Sequence, residues 1–233
     1  MSTGQNLVDE VRARTDNVGN TNITDAEILG YLNYGLAELY EILCNSFEDW
    51  NVTTTTFSIS VGSYFNLPSD FYKPRRIDKS ASGVAGQNDW DRVSRIALRD
   101  ESAFNMAVLQ SFTPDRVYGY VLEDSILRVV PPSQSVGLYQ LKYYPAWTDV
   151  ALGTTVSVGP RGQHWELYAV MCACIDVCEK QETDPSSWYA KKAALKARIE
   201  ESCSNRDAGE QEPPPVLGEP WYQRFGGSGG YGT

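Results

Sequence analysis

Histidine is almost missing from this chain: His164 is the only one in 233 residues. Acid–base chemistry near neutral pH therefore has one imidazole to draw on, and it sits beside the apolar start of a helical stretch, where packing or capping explains it. Positive charge is also short. Twenty Lys and Arg face 30 Asp and Glu, for a net charge of -10 and a pI near 4.6. That excludes a chain-wide basic footprint of the kind that grips phosphate by releasing counterions. No apolar run approaches the roughly 20 residues that cross a bilayer. Met1 to Gln5 has neither the basic nor the apolar part of a secretory leader, so the expectation is a protein made and kept in a cytosol, with no membrane partner. Cysteines number five. An odd count in a chain without a leader argues for free thiols over a disulfide framework.

What is present is an ordinary globular composition, 42% hydrophobic and 21% charged, enough for one core with an embellishment. Leu7, Val8 and Val11 share a face of a first helix over 5–14. Thr24 and Glu27 form a capping box, in which the hydroxyl takes a backbone N–H of the first turn and the carboxylate reciprocates. Behind it Ile28, Leu32, Leu36, Leu39, Leu43 and Phe47 recur at helical spacing. After Trp50 the period falls to two: Phe57, Ile59 and Val61 alternate with Thr56, Ser58 and Ser60, and Val61-Gly62-Ser63 is read as turning a hairpin into Tyr64 to Leu67. Pro68 and Pro74 interrupt pairing before a short strand at 75–79. A helix is expected over 100–110, ended by Pro114. Strands at 117–122, 126–130 and 139–144 read as an antiparallel meander. The stretch 165–179 is apolar nearly all round, as a central core helix would be. Asp184 and Pro185 start a last helix whose stripe is Trp188, Leu195, Ile199 and Cys203.

These elements give an α+β fold: a helical bundle from the N- and C-terminal helices, with an inserted antiparallel β region and a disordered C-terminal tail. The expected boundaries are helices at 1–50, the β insertion with its short helix at 51–160, a helical hairpin at 161–208, and an extended tail at 209–233.

Catalysis finds little support. A thiol nucleophile paired with His164 would have to come from Cys172, Cys174 or Cys178, all inside the most apolar helix, where burial suppresses reactivity. The spacing Cys172-x-Cys174-x-x-x-Cys178 puts Cys174 and Cys178 on one face and Cys172 on another, so core packing explains it better than a metal site. The tail glycines lack the Lys-Ser/Thr ending of a phosphate loop. Acidic pairs such as Glu123-Asp124 and Glu200-Glu201 read as solvated surface. No catalytic residue, metal or cofactor is expected.

The tail is different. Glu212-Pro213-Pro214-Pro215 leads through Pro220-Trp221-Tyr222-Gln223-Arg224-Phe225 to a glycine run and Tyr231, placing large aromatics and an arginine in a segment too rich in proline and glycine to fold alone. Trp, Tyr and Arg are the usual anchors of protein interfaces. Each aromatic buries about 150 to 250 Å², roughly 4 to 6 kcal/mol gross at about 25 cal/mol per Å². Ordering a dozen residues costs about 12 to 24 kcal/mol, so one tail binds weakly and many tails on one ring bind tightly. Pro220, Trp221, Tyr222, Arg224, Phe225 and Tyr231 are the expected docking residues.

The order of these pieces resembles the head-to-tail adaptor, or connector, family of tailed bacteriophages. The resemblance lies in the segment from Asp25 through Asn33 to Tyr40, in Leu67-Pro68-Ser69-Asp70-Phe71, in Leu127-Arg128-Val129-Val130-Pro131-Pro132, and in Leu141-Lys142-Tyr143-Tyr144. It implies a structural virion protein of the neck, a homo-oligomeric ring of about twelve subunits joining the portal protein ring to a tail or nozzle protein, with DNA passing through without specific binding. An acidic wall suits that passage, because it repels DNA and lets it slide. Other neck parts such as a stopper or tail-completion protein, a cellular protein-binding module, and the cysteine hydrolase are the alternatives.

Overall fold

In a computed structural model of the chain, the described residues are 2–19, 22–46, 51–60, 62–84, 89–102, 105, 119–132, 135–156, 158 and 164–207. The chain divides into two compact units, one made of residues 1–48 and 150–233 and the other of 49–149. It is an α+β protein.

The first unit holds four named helices: α1 (Gly4–Arg14), α2 (Asp25–Asn45), α3 (Leu167–Lys180) and α4 (Ser186–Asp207). Local chemistry sets their starts. The Thr3 hydroxyl accepts the Asn6 N–H at 3.2 Å, and the Thr24 hydroxyl accepts the Glu27 N–H at 3.3 Å, satisfying donors that the first turn leaves orphaned. The Asp184 carboxylate takes the Ser186 N–H at 2.9 Å. Most of each stripe is buried: Leu7, Val8 and Val11 on α1, Ile28, Leu32, Leu36, Leu39 and Leu43 on α2, and Leu195, Ile199 and Cys203 on α4. Trp188, at the start of α4, is only half-buried, and Phe47 lies outside the described residues. Nine of the 14 residues of α3 are buried, so this helix is covered on most of its circumference and α1, α2 and α4 all pack against it.

Two close approaches need glycine. A Cβ at Gly35 would stand 2.8 Å from Ala169 Cα, so α2 and α3 cross nearly backbone to backbone there. A Cβ at Gly4 would meet Ala151 O at 2.5 Å, where the Gly4 and Gln5 N–H groups donate to Thr154 and Leu152 carbonyls. The segment after Val150 thus lies on the helices.

The second unit has two four-stranded sheets. Its strands are β1 (Thr53–Ile59), β2 (Tyr64–Asn66), β3 (Phe71–Ser80), β4 (Trp90–Arg92), β5 (Ser94–Arg95), β6 (Gly119–Glu123), β7 (Ile126–Val130) and β8 (Gly137–Pro145). One sheet runs β1-β8-β3-β4 and the other β2-β7-β6-β5. Phe57, Ile59, Ile77, Leu141 and Tyr139 from the first sheet and Tyr120, Leu127 and Val129 from the second share one core. Phe57 and Phe65 stack across the two at 3.8 Å between ring centres.

Four expectations change here. The strands either side of Gly62 do not pair as a hairpin: β1 bonds to β8 and β2 to β7, and Gly62, at φ +82°, lets the chain pass from one sheet to the other. The meander likewise breaks after β7. Pro131 and Pro132 have no N–H to continue that ladder, and β8 crosses to sit between β1 and β3, where its alternating Tyr139, Leu141 and Tyr143 find the core. Pro74 does not delay β3, which starts at Phe71 and absorbs the proline with register shifts on either side. The region is not wholly antiparallel, since β5 pairs with β6 in parallel. The helix expected over 100–110 falls mostly outside the described residues; Leu98–Asp100 is a 3-10 turn.

Candidate functional site

Pro220, Trp221, Tyr222, Arg224, Phe225 and Tyr231 all lie outside the described residues, which end at Asp207. What the structure does describe is the helix that leads to them. α4 is fastened by Leu195, Ile199 and Cys203 in the core and by a polar clamp on its flank. Lys192 Nζ donates to Glu38 Oε2 of α2 at 2.8 Å, and Tyr168 OH of α3 donates to Glu38 Oε1 at 2.6 Å. One carboxylate thereby joins three helices. Burial works against the charge on Glu38, but the hydrogen bonds from Lys192 and Tyr168 outweigh it and hold the carboxyl below its ordinary range. Burial and the same carboxylate push the Tyr168 phenol far up. Lys192 and its partner Glu38 are 154 residues apart in the chain, beyond the reach of any local pattern.

The second polar knot of this unit surrounds the α1–α2 turn. Arg12 donates to Asp25 Oδ1 through Nε at 2.8 Å and through Nη2 at 2.6 Å, and its Nη2 also reaches Ile23 O at 2.7 Å. Asn17, almost fully buried, is bonded to Gln181. The Glu27 carboxylate takes up Lys180, Tyr31 and the Thr24 backbone, in that order of effect, which lowers its pKa and completes the capping box. Asn33 binds the Val150 backbone through both ends of its amide, at 3.1 and 2.9 Å.

The chemistry that a hydrolase would require is not assembled among the described residues. Cys44, Cys172, Cys174, Cys178 and Cys203 are all free and buried. Burial pushes the Cys172 thiol up to about 11 and the Cys174 thiol up to about 12, so neither is a thiolate near neutral pH. His164 is 74% exposed, with Nδ1 3.5 Å from Glu166 Oε1. Its ring lies at the surface and outside the core, a correction to the packing reading; its backbone carbonyl accepts the Leu167 N–H. No group of three or more His, Cys, Asp or Glu among the described residues is placed to hold a metal, and no described helix is long and apolar enough to cross a membrane.

In the β unit the charged side chains tie strands and loops together. Arg128 of β7 forks onto Glu101 at 2.8 and 2.7 Å and also bonds Glu123, so Glu123 is not the bare solvated residue that its sequence setting suggests. Asp78, 1% exposed, receives Arg76 Nε at 2.5 Å with Lys142 Nζ 3.9 Å away. Tyr143 OH donates to Asp70 Oδ1 at 2.9 Å. Asp70 and Tyr143 come from two of the motifs quoted above, as Asn33 and Arg128 come from the other two. Each of those motifs contributes a residue that pins the scaffold.

The surface left for partners differs between the units. Nineteen acidic and ten basic residues fall in the helical unit, and eleven and ten in the β unit, so the charges are -9 and -1. The β unit also presents a sheet border, β1, whose seven residues carry no charge, with Thr53, Thr54, Thr56 and Ser58 exposed.

The net acidic charge is thus concentrated in one unit, the thiols are buried, and the polar side chains described above fasten helices and strands to one another. Compared with known families, residues 2–215 match the SU10 adaptor protein family. The chain belongs to this family of phage head-to-tail adaptors, structural proteins of the virion neck and not a known enzyme family. No curated protein matches it. The family match stops before Pro220, so the aromatic segment of the tail lies beyond it.

Proposed function

We propose that this chain forms a homo-oligomeric ring, twelve-fold as in the adaptors it resembles, that joins the portal ring to a tail or nozzle protein and lines the channel through which DNA is ejected. The uneven charge carries the reading. A helical unit bearing -9 per subunit with its tail included, repeated around a ring, makes a wall that DNA slides past. The near-neutral β unit suits contacts with protein. Docking to the portal falls to the tail, where Pro220, Trp221, Tyr222, Arg224, Phe225 and Tyr231 give each subunit a weak hold that the ring multiplies by effective concentration. The subunit waits in the host cytoplasm before assembly. The clamp of Glu38, Lys192 and Tyr168 has a part in this: it fixes the helix from which the tail departs.

The test is negative-stain imaging and mass determination of the full chain mixed with portal rings. The expected result is a ring stacked on the portal. A chain ending at Asp207 and the full-length double variant Trp221→Ala, Phe225→Ala should both lose stacking while keeping the helical and β content of the parent. Stacking that survives both changes overturns the tail's role, and a parent chain indifferent to the portal overturns the adaptor assignment.

A further inference from the structure

The two borders of the first sheet are unlike. On one side β4 covers only the end of β3, and the remainder of β3 carries Lys73, Pro74, Arg75 and Arg76 with two register shifts. Charge, proline and bulges are the devices that keep a sheet edge from recruiting another strand. On the other side lies β1, Thr-Thr-Thr-Thr-Phe-Ser-Ile, which among the described residues pairs only with β8. It has none of those devices. It is also long: the other outermost strands, β2, β4 and β5, have three, three and two residues. A seven-residue, uncharged, β-branched edge is what protein surfaces ordinarily avoid unless it is covered.

The occupant follows from charge and length. Two copies of a chain of net charge -10 repel each other over most of their surface, and β1 is a stretch where nothing charged meets its like. Among the described outer strands, the one whose length matches β1 is β1 itself. Antiparallel pairing about a two-fold axis at Thr56 uses all seven residues. It sets Thr56 opposite its own copy, Thr54 opposite Ser58, Thr55 opposite Phe57 and Thr53 opposite Ile59. Hydroxyls then face hydroxyls on the outer side, and threonine methyls extend the apolar side that Phe57 and Ile59 begin. We propose that β1 pairs with the β1 of a second copy across a two-fold axis, joining two four-stranded sheets into one of eight, so that the free protein is a dimer. A two-fold contact closes on itself and cannot propagate around a ring, so this pairing is separate from the subunit contact of the proposed ring, and either holds if the other fails.

The experiment uses the full chain without portal. Sedimentation velocity should give a dimer, and hydrogen exchange should show the outward amides of Thr53 to Ile59 protected. Thr56→Lys places two ammonium groups face to face and should weaken dimerisation by about tenfold or more, whereas Thr56→Ser should leave it unchanged. All five native cysteines are buried, so Thr56→Cys supplies an accessible thiol that a short bis-maleimide should link to its own copy. A monomer whose β1 amides exchange freely overturns the proposal. So does a dimer indifferent to Thr56→Lys, or an oligomer in which the Thr56→Cys variant does not cross-link because another segment covers β1.

Discussion

The helical unit and the β unit distribute their polar chemistry in opposite ways. The helical unit has the acidic excess, yet its distinctive polar groups are engaged with one another: Glu38 is held by Lys192 and Tyr168, Asn17 by Gln181, and Arg12 by Asp25. It also holds every cysteine in the chain, all buried. The β unit is nearly neutral, contains no cysteine, and leaves a long uncharged border exposed. The difference teaches that charge and adhesiveness are separate properties of a surface. The acidic unit is internally fastened and repels its like, whereas the neutral unit is where another strand can add at little electrostatic cost.

The largest effects should come from cutting each core separately. Leu36→Ala in α2 and Leu141→Ala in β8 both empty fully buried sites and should each cost about 2 to 5 kcal/mol. Because the thiols report only the helical unit, pulsed labelling in denaturant should rise early for Leu36→Ala. For Leu141→Ala, tyrosine and backbone signals of the β unit should change first. If both variants release the thiols equally, the two units unfold as one and the comparison fails.

A smaller effect is expected at Arg128, whose guanidinium binds Glu101 and Glu123 together. Arg128→Met keeps the stem and removes both ion pairs, and should cost about 1 to 3 kcal/mol by chemical denaturation. Arg128→Lys should recover only part of that loss, since an ammonium cannot form the two-pronged bond. Full recovery would mean that charge, and not the fork, holds Glu101 to the sheet.

The smallest effect depends on pH. The carboxyl of Glu38 titrates below its ordinary 4.5 in the folded chain, so its contribution is present above that value and is lost as pH falls through the lowered one. The parent should be more stable than Glu38→Gln at neutral pH, and the gap should close progressively below about pH 4.5. On the alkaline side the pKa of Lys192 is raised despite its burial, because Glu38 binds it, and that part is lost as pH rises through the raised value above 10.5. A gap that stays constant through acid would assign the Glu38 effect to packing.

What the sequence settled by itself is what a helix repeats every turn. The stripes of α1, α2 and α4, the caps at Thr24 and Asp184, and the burial of α3 with its cysteines follow from local patterns, readable within a few residues and without knowing the partner. The order of the quoted motifs, which led to the adaptor family, was readable for the same reason. Strand pairing was not, because an alternating strand states which face is buried and says nothing of which strand lies beside it. The passage from β1 to β2 at Gly62 and the departure of β8 from β7 are decided by the need to close one core between two sheets. The clamp on Glu38 and the bare border of β1 were equally out of reach. The first joins residues more than a hundred positions apart, and the second depends on which strand the fold leaves outermost.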